Sequence, residues 1–136
     1  MIYINEQLYT EIKDHAMDVY PSEGCGVLVG TGDRVLKIYR VENINKERAN
    51  DRYEIDPSDI LRIEKEASNE SQDIIGFYHS HPDHPDMPSD FDRERAWPDY
   101  RYIIISVRNG TEVSIRSWKL VDNREKFEEE RLMIEG

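Results

Sequence analysis

The sequence predicts a mixed α/β fold, a sheet of parallel and antiparallel strands flanked by helices. Three observations carry that reading. Strand-like and helix-like stretches are interleaved along the chain. Tyr102 to Val107 is almost continuously apolar, as expected of a central strand covered on both faces. Asn109-Gly110 is a strong hairpin signal, so at least one pair of neighbours is antiparallel. With 136 residues and no internal repeat or low-complexity linker, a single domain spanning residues 1–136 is expected.

The elements follow in order. From Asn5 to Tyr20 the apolar residues Leu8, Ile12, Ala16 and Val19 recur at helical spacing, and Pro21 ends the run. His15 on this helix reads as a partly exposed surface histidine. Gly24 to Gly30 is a short apolar strand enclosing Cys25, which reads as core. Arg34 to Val41 is a second strand beyond the turn at Thr31-Gly32-Asp33. Asn43 to Asp51 is a polar loop, and Arg52 to Ile55 reads as a short strand. A second helix opens at Asp56-Pro57, an N-cap followed by a proline tolerated in the first turn. Ile60, Ile63 and Ala67 are its buried stripe. Asp73 to His81 is the next strand, Pro82 to Pro88 a loop, and Ser89 to Trp97 a short helix. Beyond the Asn109-Gly110 turn, Thr111 to Trp118 alternates as a strand does. The charged stretch Asn123 to Ile134 is expected to be helical or weakly ordered.

Composition excludes several function classes. There are 29 acidic against 18 basic residues, a net charge of −11, which disfavours nucleic acid and anionic membrane as partners. The single cysteine permits no internal disulfide. The N-terminus lacks the basic and apolar regions of a signal peptide, and no stretch approaches a membrane span, so a cytoplasmic location is expected.

The chemistry is concentrated between His79 and Asp92. His79 and His81 are two apart at a strand end and therefore share a face. Ile75 and Phe77 have the same parity and are expected to floor the pair. Two imidazoles can hold one metal ion, and a catalytic zinc takes three protein ligands and one water. Asp83, Asp86, Asp90 and Asp92 are all within reach as the third, with Asp92 the candidate on a helix. Spacing does not choose among them. Ser89 and Asp92 also form a capping box that needs no metal, and that reading competes for the Asp92 carboxylate. His84 reads as a loop residue or a donor to a ligand. Glu23, taken locally, reads as a surface residue in a helix-to-strand turn.

The whole pattern is more specific than its parts. His79-Ser80-His81-Pro82, then Ser89 and Asp92, resembles the signature of the JAMM metallopeptidases, the catalytic branch of the MPN domain family. The segment Pro21 to Gly30, with Glu23 ahead of a glycine-rich apolar strand, is similar to that family's upstream glutamate region. The resemblance runs from about Leu8 to Leu120 and points to the short prokaryotic type. It implies an MPN fold, related to that of the cytidine deaminases, and one Zn2+ per chain on His79, His81 and Asp92. It further implies Glu23 as general base and Ser89 as oxyanion donor. Zinc would lower the pKa of a bound water, Glu23 would take its proton, and Ser89 would steady the developing charge. The implied substrate is a ubiquitin-like sulfur-carrier protein or its C-terminal tail, since the interval from Glu23 to His79 leaves little room for large insertions.

Other readings stand beside this one. A metal-free MPN scaffold that only binds partners would ordinarily lack a ligand, and here every position is filled. Two histidines and a carboxylate also describe a non-haem iron centre, though such enzymes favour a longer barrel. There is no His-Glu-x-x-His, and one cysteine excludes the zinc deaminase pattern. Two features depart from the family pattern. Asp83, His84 and Asp86 could bind a second ion, and Gly24 makes the turn after Glu23 flexible.

Overall fold

A computed structural model of the protein describes residues 1–120 and 126–136. Its elements are β1 (Ile2–Asn5), α1 (Glu6–Val19), β2 (Cys25–Thr31), β3 (Arg34–Val41), α2 (Pro57–Asn69), β4 (Asp73–Pro82), α3 (Asp90–Arg95), β5 (Arg101–Arg108), β6 (Glu112–Leu120), β7 (Phe127–Glu130) and β8 (Leu132–Glu135). The described strands form one sheet in the order β7-β6-β5-β4-β2-β3-β1-β8. The pairs β4–β5, β1–β3 and β1–β8 are parallel, whereas β2–β3, β2–β4, β5–β6 and β6–β7 are antiparallel. The mixed sheet read from the sequence is therefore present. Asn109 and Gly110 have φ of 53° and 74°, both left-handed, in the turn that Thr111 N closes by donating to Arg108 O.

The two long helices bury opposite faces of the sheet. Ile12 and Ala16 of α1 pack with Ile4, Leu28, Tyr78 and Ile105. Ile63 and Ala67 of α2 pack with Val27, Phe77, Tyr102 and Leu120. Covering both faces explains why β2 and β5 read as unbroken apolar runs. Among the described residues no helix is long and apolar enough to cross a membrane.

Five expectations are corrected. Residues 2–5 are a strand, and Asn5 is not helical but the N-cap of α1, accepting a hydrogen bond from Leu8 N at 2.8 Å. Arg52 to Ile55 is not a strand, because the Asn43 side chain takes the bonds a ladder would use, from Glu54 N and to Arg52 O. The predicted helix over Asn123 to Ile134 is instead β7 and β8 from residue 127 onward; residues 123–125 lie outside the described residues. His15 is not a surface residue, being only 6% exposed with Nδ1 2.7 Å from the Tyr78 hydroxyl. Finally, a bulge between Leu28 and Val29 leaves Ile75 without a partner on β2. It reverses the side-chain parity there, so Phe77 lies on the α2 side with the histidines while Ile75 joins the α1 core.

Candidate metal centre

β4 supplies the first two side chains. His79 and His81 lie at its C-terminal end, both buried, with their Nε2 atoms 3.1 Å apart. Parallel pairing of β4 with β5 requires a crossover, and residues 83–100 make it, carrying α3 back over this end of the sheet. α3 brings Asp92, whose Oδ2 is 3.0 Å from His81 Nε2 and 3.2 Å from His79 Nε2. Three ligand atoms from two elements thus form a nearly equilateral triangle.

That triangle fits a metal ion. His81 Nδ1 lies 2.8 Å from the Pro85 carbonyl, which can only accept, so the ring carries its proton there and presents the Nε2 lone pair to the triangle. Lone pairs crowded this closely repel unless a proton or a cation sits among them. Tetrahedral zinc, with bonds of about 2.0–2.1 Å, would space its donors about 3.3 Å apart. Two imidazoles and one carboxylate are also a donor set typical of zinc sites that leave one position for water.

Glu23 faces the triangle from the turn before β2. It is 4% exposed, and one of its oxygens lies within 4.8 Å of a ring nitrogen of both His79 and His81, a gap that one water can bridge. Glu23 Oε1 and His79 Nδ1 are buried with no hydrogen-bond partner among the described residues. Burial pushes the Glu23 carboxyl up to about 8, with His81 opposing and Asp92 and Asp51 adding to the rise. Burial also works against a charged Asp92, but the two histidines outweigh it and hold that carboxyl well below its usual range. His79 is lowered by burial despite Asp92. His81, also penalised by burial, is raised on balance by its bond to Asp92.

Ser80, between the two histidines, fixes the Glu23 segment. Its hydroxyl accepts from Gly24 N at 2.8 Å, and its own N–H donates to Gly24 O at 2.9 Å. Gly24 is there for space, since a Cβ would come within 2.8 Å of Val19 Cγ2 on α1.

Ser89 is the N-cap of α3, its Oγ accepting from Asp92 N at 3.1 Å. Asp92 Oδ2 accepts from Ser89 N at 3.0 Å while also facing both rings. A carboxylate oxygen has two lone pairs, so the cap and the ligand role do not compete as the sequence had implied. The Ser89 hydroxyl proton is left available. The other acids and His84 do not gather around a second ion. Asp83 is bonded by the Tyr20 hydroxyl and Asn109 N, Asp86 pairs with Arg116 at 3.2 Å, and His84 lines the cleft described below.

Residues 43–55 contribute contacts that the sequence did not reveal. Ala49 O accepts from Glu23 N at 2.5 Å, and Asn43 Nδ2 donates to Glu23 O at 3.1 Å. The Tyr53 ring stacks on His79 with centroids 4.4 Å apart and planes at 24°. Arg52 and Arg95 lie over the Phe91 ring at 4.4 and 5.2 Å, tying this loop to α3. The loop therefore touches the glutamate segment, one histidine and the helix of the aspartate. One local signal was available, an aromatic residue inside a polar stretch. A cleft of about 510 Å³ opens over the centre, walled by Glu23, His81, Ser89, Arg48, Arg52 and Met87 among others.

Comparison with known proteins gives a consistent picture. The profile of a family described as prokaryotic homologs of the JAB domain matches residues 5–121. A desampylase of Haloferax volcanii is 38% identical over 104 residues, 74% of this chain and 74% of that protein. A CysO-cysteine peptidase of Mycobacterium tuberculosis is 28% identical over 123 residues, 90% of this chain and 84% of that protein. The solution structure of a protein from Desulfitobacterium hafniense superposes with a TM-score of 0.86 at 27% identity, covering 99% of this chain and 93% of the other.

Proposed function

The chain belongs to the prokaryotic JAB-domain family, the short JAMM metallopeptidases, and we propose that residues 1–136 form a single hydrolase domain cleaving after the C-terminal glycine of a ubiquitin-like sulfur-carrier protein. The observation that carries this reading is the triangle of His79, His81 and Asp92 with buried Glu23 one water's span away. The names of its relatives, a desampylase and a CysO-cysteine peptidase, agree with conjugates or adducts of small carrier proteins as substrates.

His79, His81 and Asp92 would hold one Zn2+, which supplies Lewis acidity that brings the pKa of a water towards about 7. Glu23 accepts the proton of the attacking water and delivers it to the amine as the C–N bond breaks. Ser89 donates its hydroxyl proton as a hydrogen bond to the carbonyl oxygen while charge builds there. Tyr53 holds the His79 ring, and Asn43 and Ser80 hold the backbone either side of Glu23. A cytoplasmic site of action suits a chain whose one cysteine is buried and unpaired.

The test is hydrolysis of a small ubiquitin-like carrier with an extended Gly-Gly tail by the zinc-loaded protein. Cleavage after the second glycine is expected, with about one zinc per chain by elemental analysis. Full activity in Glu23→Gln, or iron in place of zinc in the native protein, would overturn the reading.

A further inference from the structure

The cleft over the centre contains an arginine that makes no ion pair among the described residues, although Asp51 and Asp90 also line it. Two arginines of residues 43–55 line it, Arg48 and Arg52. Arg48 is fully engaged, its guanidinium meeting both oxygens of Asp51, one of them at 3.0 Å through Nε. Arg52 has no carboxylate within ion-pair distance among the described residues, and its guanidinium instead lies over Phe91 at 4.4 Å. Among the described arginines Arg52, Arg108 and Arg131 make no ion pair, and of these Arg52 is the one that lines the cleft. The contact is also a placement, because Phe91 adjoins Asp92 in sequence and Asn43 holds the Arg52 carbonyl at 3.0 Å. A guanidinium keeps its N–H donors in its own plane, where they can grip a carboxylate in bidentate fashion.

The chemistry of the leaving side supplies that carboxylate. When a single residue leaves, its α-carboxylate carbon lies about 2.5 Å from the scissile nitrogen, two bonds away. Such an anion must therefore sit in this cleft, close to Glu23 and Asp92, where it needs a cation. An amine on a lysine side chain brings no carboxylate so near. We propose that Arg52 binds the free α-carboxylate of one residue on the leaving side, so that the preferred substrate is a carrier tail ending in Gly-Gly-Xaa with its carboxyl free. This rests on the hydrolase reading above and narrows it to the release of a terminal amino acid.

The experiment compares zinc-loaded wild type with Arg52→Met and Arg52→Lys on matched tails. One tail ends in Gly-Gly-Ala with a free carboxyl, a second is the same tail capped as the amide, and a third is amide-capped with Glu replacing Ala. Wild type is expected to favour the free acid by roughly 10–100-fold in kcat/KM, mainly through KM, the size of a charged hydrogen-bonded pair. Arg52→Met should bring acid and amide together, and Arg52→Lys should keep part of the preference. A second measurement needs no variant: free alanine should inhibit wild type more strongly than alaninamide. Equal cleavage of acid and amide by wild type, a preference retained in Arg52→Met, or recovery of full rate by the Glu side chain would each overturn the assignment. Failure to cleave any tail would instead overturn the hydrolase reading, and this inference with it.

Discussion

The two faces of β4 each bury histidine, and they differ in how its polar atoms are answered. On the face toward α1, His15 Nδ1 meets the Tyr78 hydroxyl at 2.7 Å. On the other face His79 and His81 turn their Nε2 atoms toward each other and toward Asp92, while His79 Nδ1 and Glu23 Oε1 have no partner among the described residues. Burial is similar, 6% exposed for His15 and 1% for His79, so burial does not separate a structural histidine from a chemical one. Unanswered lone pairs do. The first arrangement is complete as it stands, and the second needs a proton or a cation among its lone pairs.

Removing a ligand should break the contrast most sharply. His79→Ala is expected to lower zinc from about one per chain to near none and abolish hydrolysis. The melting temperature of the metal-free protein should fall, since truncating a buried ring stacked on Tyr53 leaves a cavity that outweighs the relief of the crowded lone pairs. Metal analysis and thermal unfolding in chelator check both halves. Glu23→Gln comes next, with kcat expected to fall by about 10²–10⁴-fold at unchanged zinc content. Ser89→Ala should cost about 10²-fold in kcat, or roughly 3 kcal/mol, plus about 1 kcal/mol of stability from the lost cap. Steady-state rates and chemical unfolding separate those effects.

Two smaller effects sharpen the comparison. Tyr53→Leu should weaken zinc binding about tenfold, whereas Tyr53→Phe should leave it close to wild type, because stacking on His79 needs the ring and not the hydroxyl. Chelator competition measures this. On the α1 face, burial lowers the His15 pKa to about 4, with Arg40 adding and Asp18 opposing, from about 6.5 in an unfolded chain. Between those values the unfolded chain binds the proton and the folded one does not. His15 therefore contributes stability that is full above pH 6.5 and lost as pH falls toward 4. His15→Gln should flatten the fall in melting temperature across that window and leave zinc content untouched.

What the sequence disclosed follows a physical division. His79 and His81 were legible as a pair because strand parity is local, whereas Asp92 was singled out from Asp83, Asp86 and Asp90 only by the family resemblance. Asn109-Gly110 and Asp56-Pro57 were legible because turn and cap chemistry is written in single residues. The burial of Glu23 was not, since it arises from Ala49, Asn43 and Ser80, all distant along the chain. Tyr53 and Arg52 were hidden for the same reason, in a segment whose shape comes from the Asn43 side chain rather than from a periodic pattern. The bulge at Leu28–Val29 reversed the expected place of Ile75, because parity counts fail wherever a ladder gains a residue. The last strands were misread because isolated charged sequence carries no alternation until both neighbours are known.

β7 and β8 are separated by Arg131 alone, yet they pair with β6 and with β1, the two opposite margins of the sheet. Ile2 thus aligns with Leu132, and β1 finds that neighbour only after residue 132 has been made. Closing so wide a loop is entropically slow. Until residue 132 is made, β1 has only β3 as a sheet neighbour.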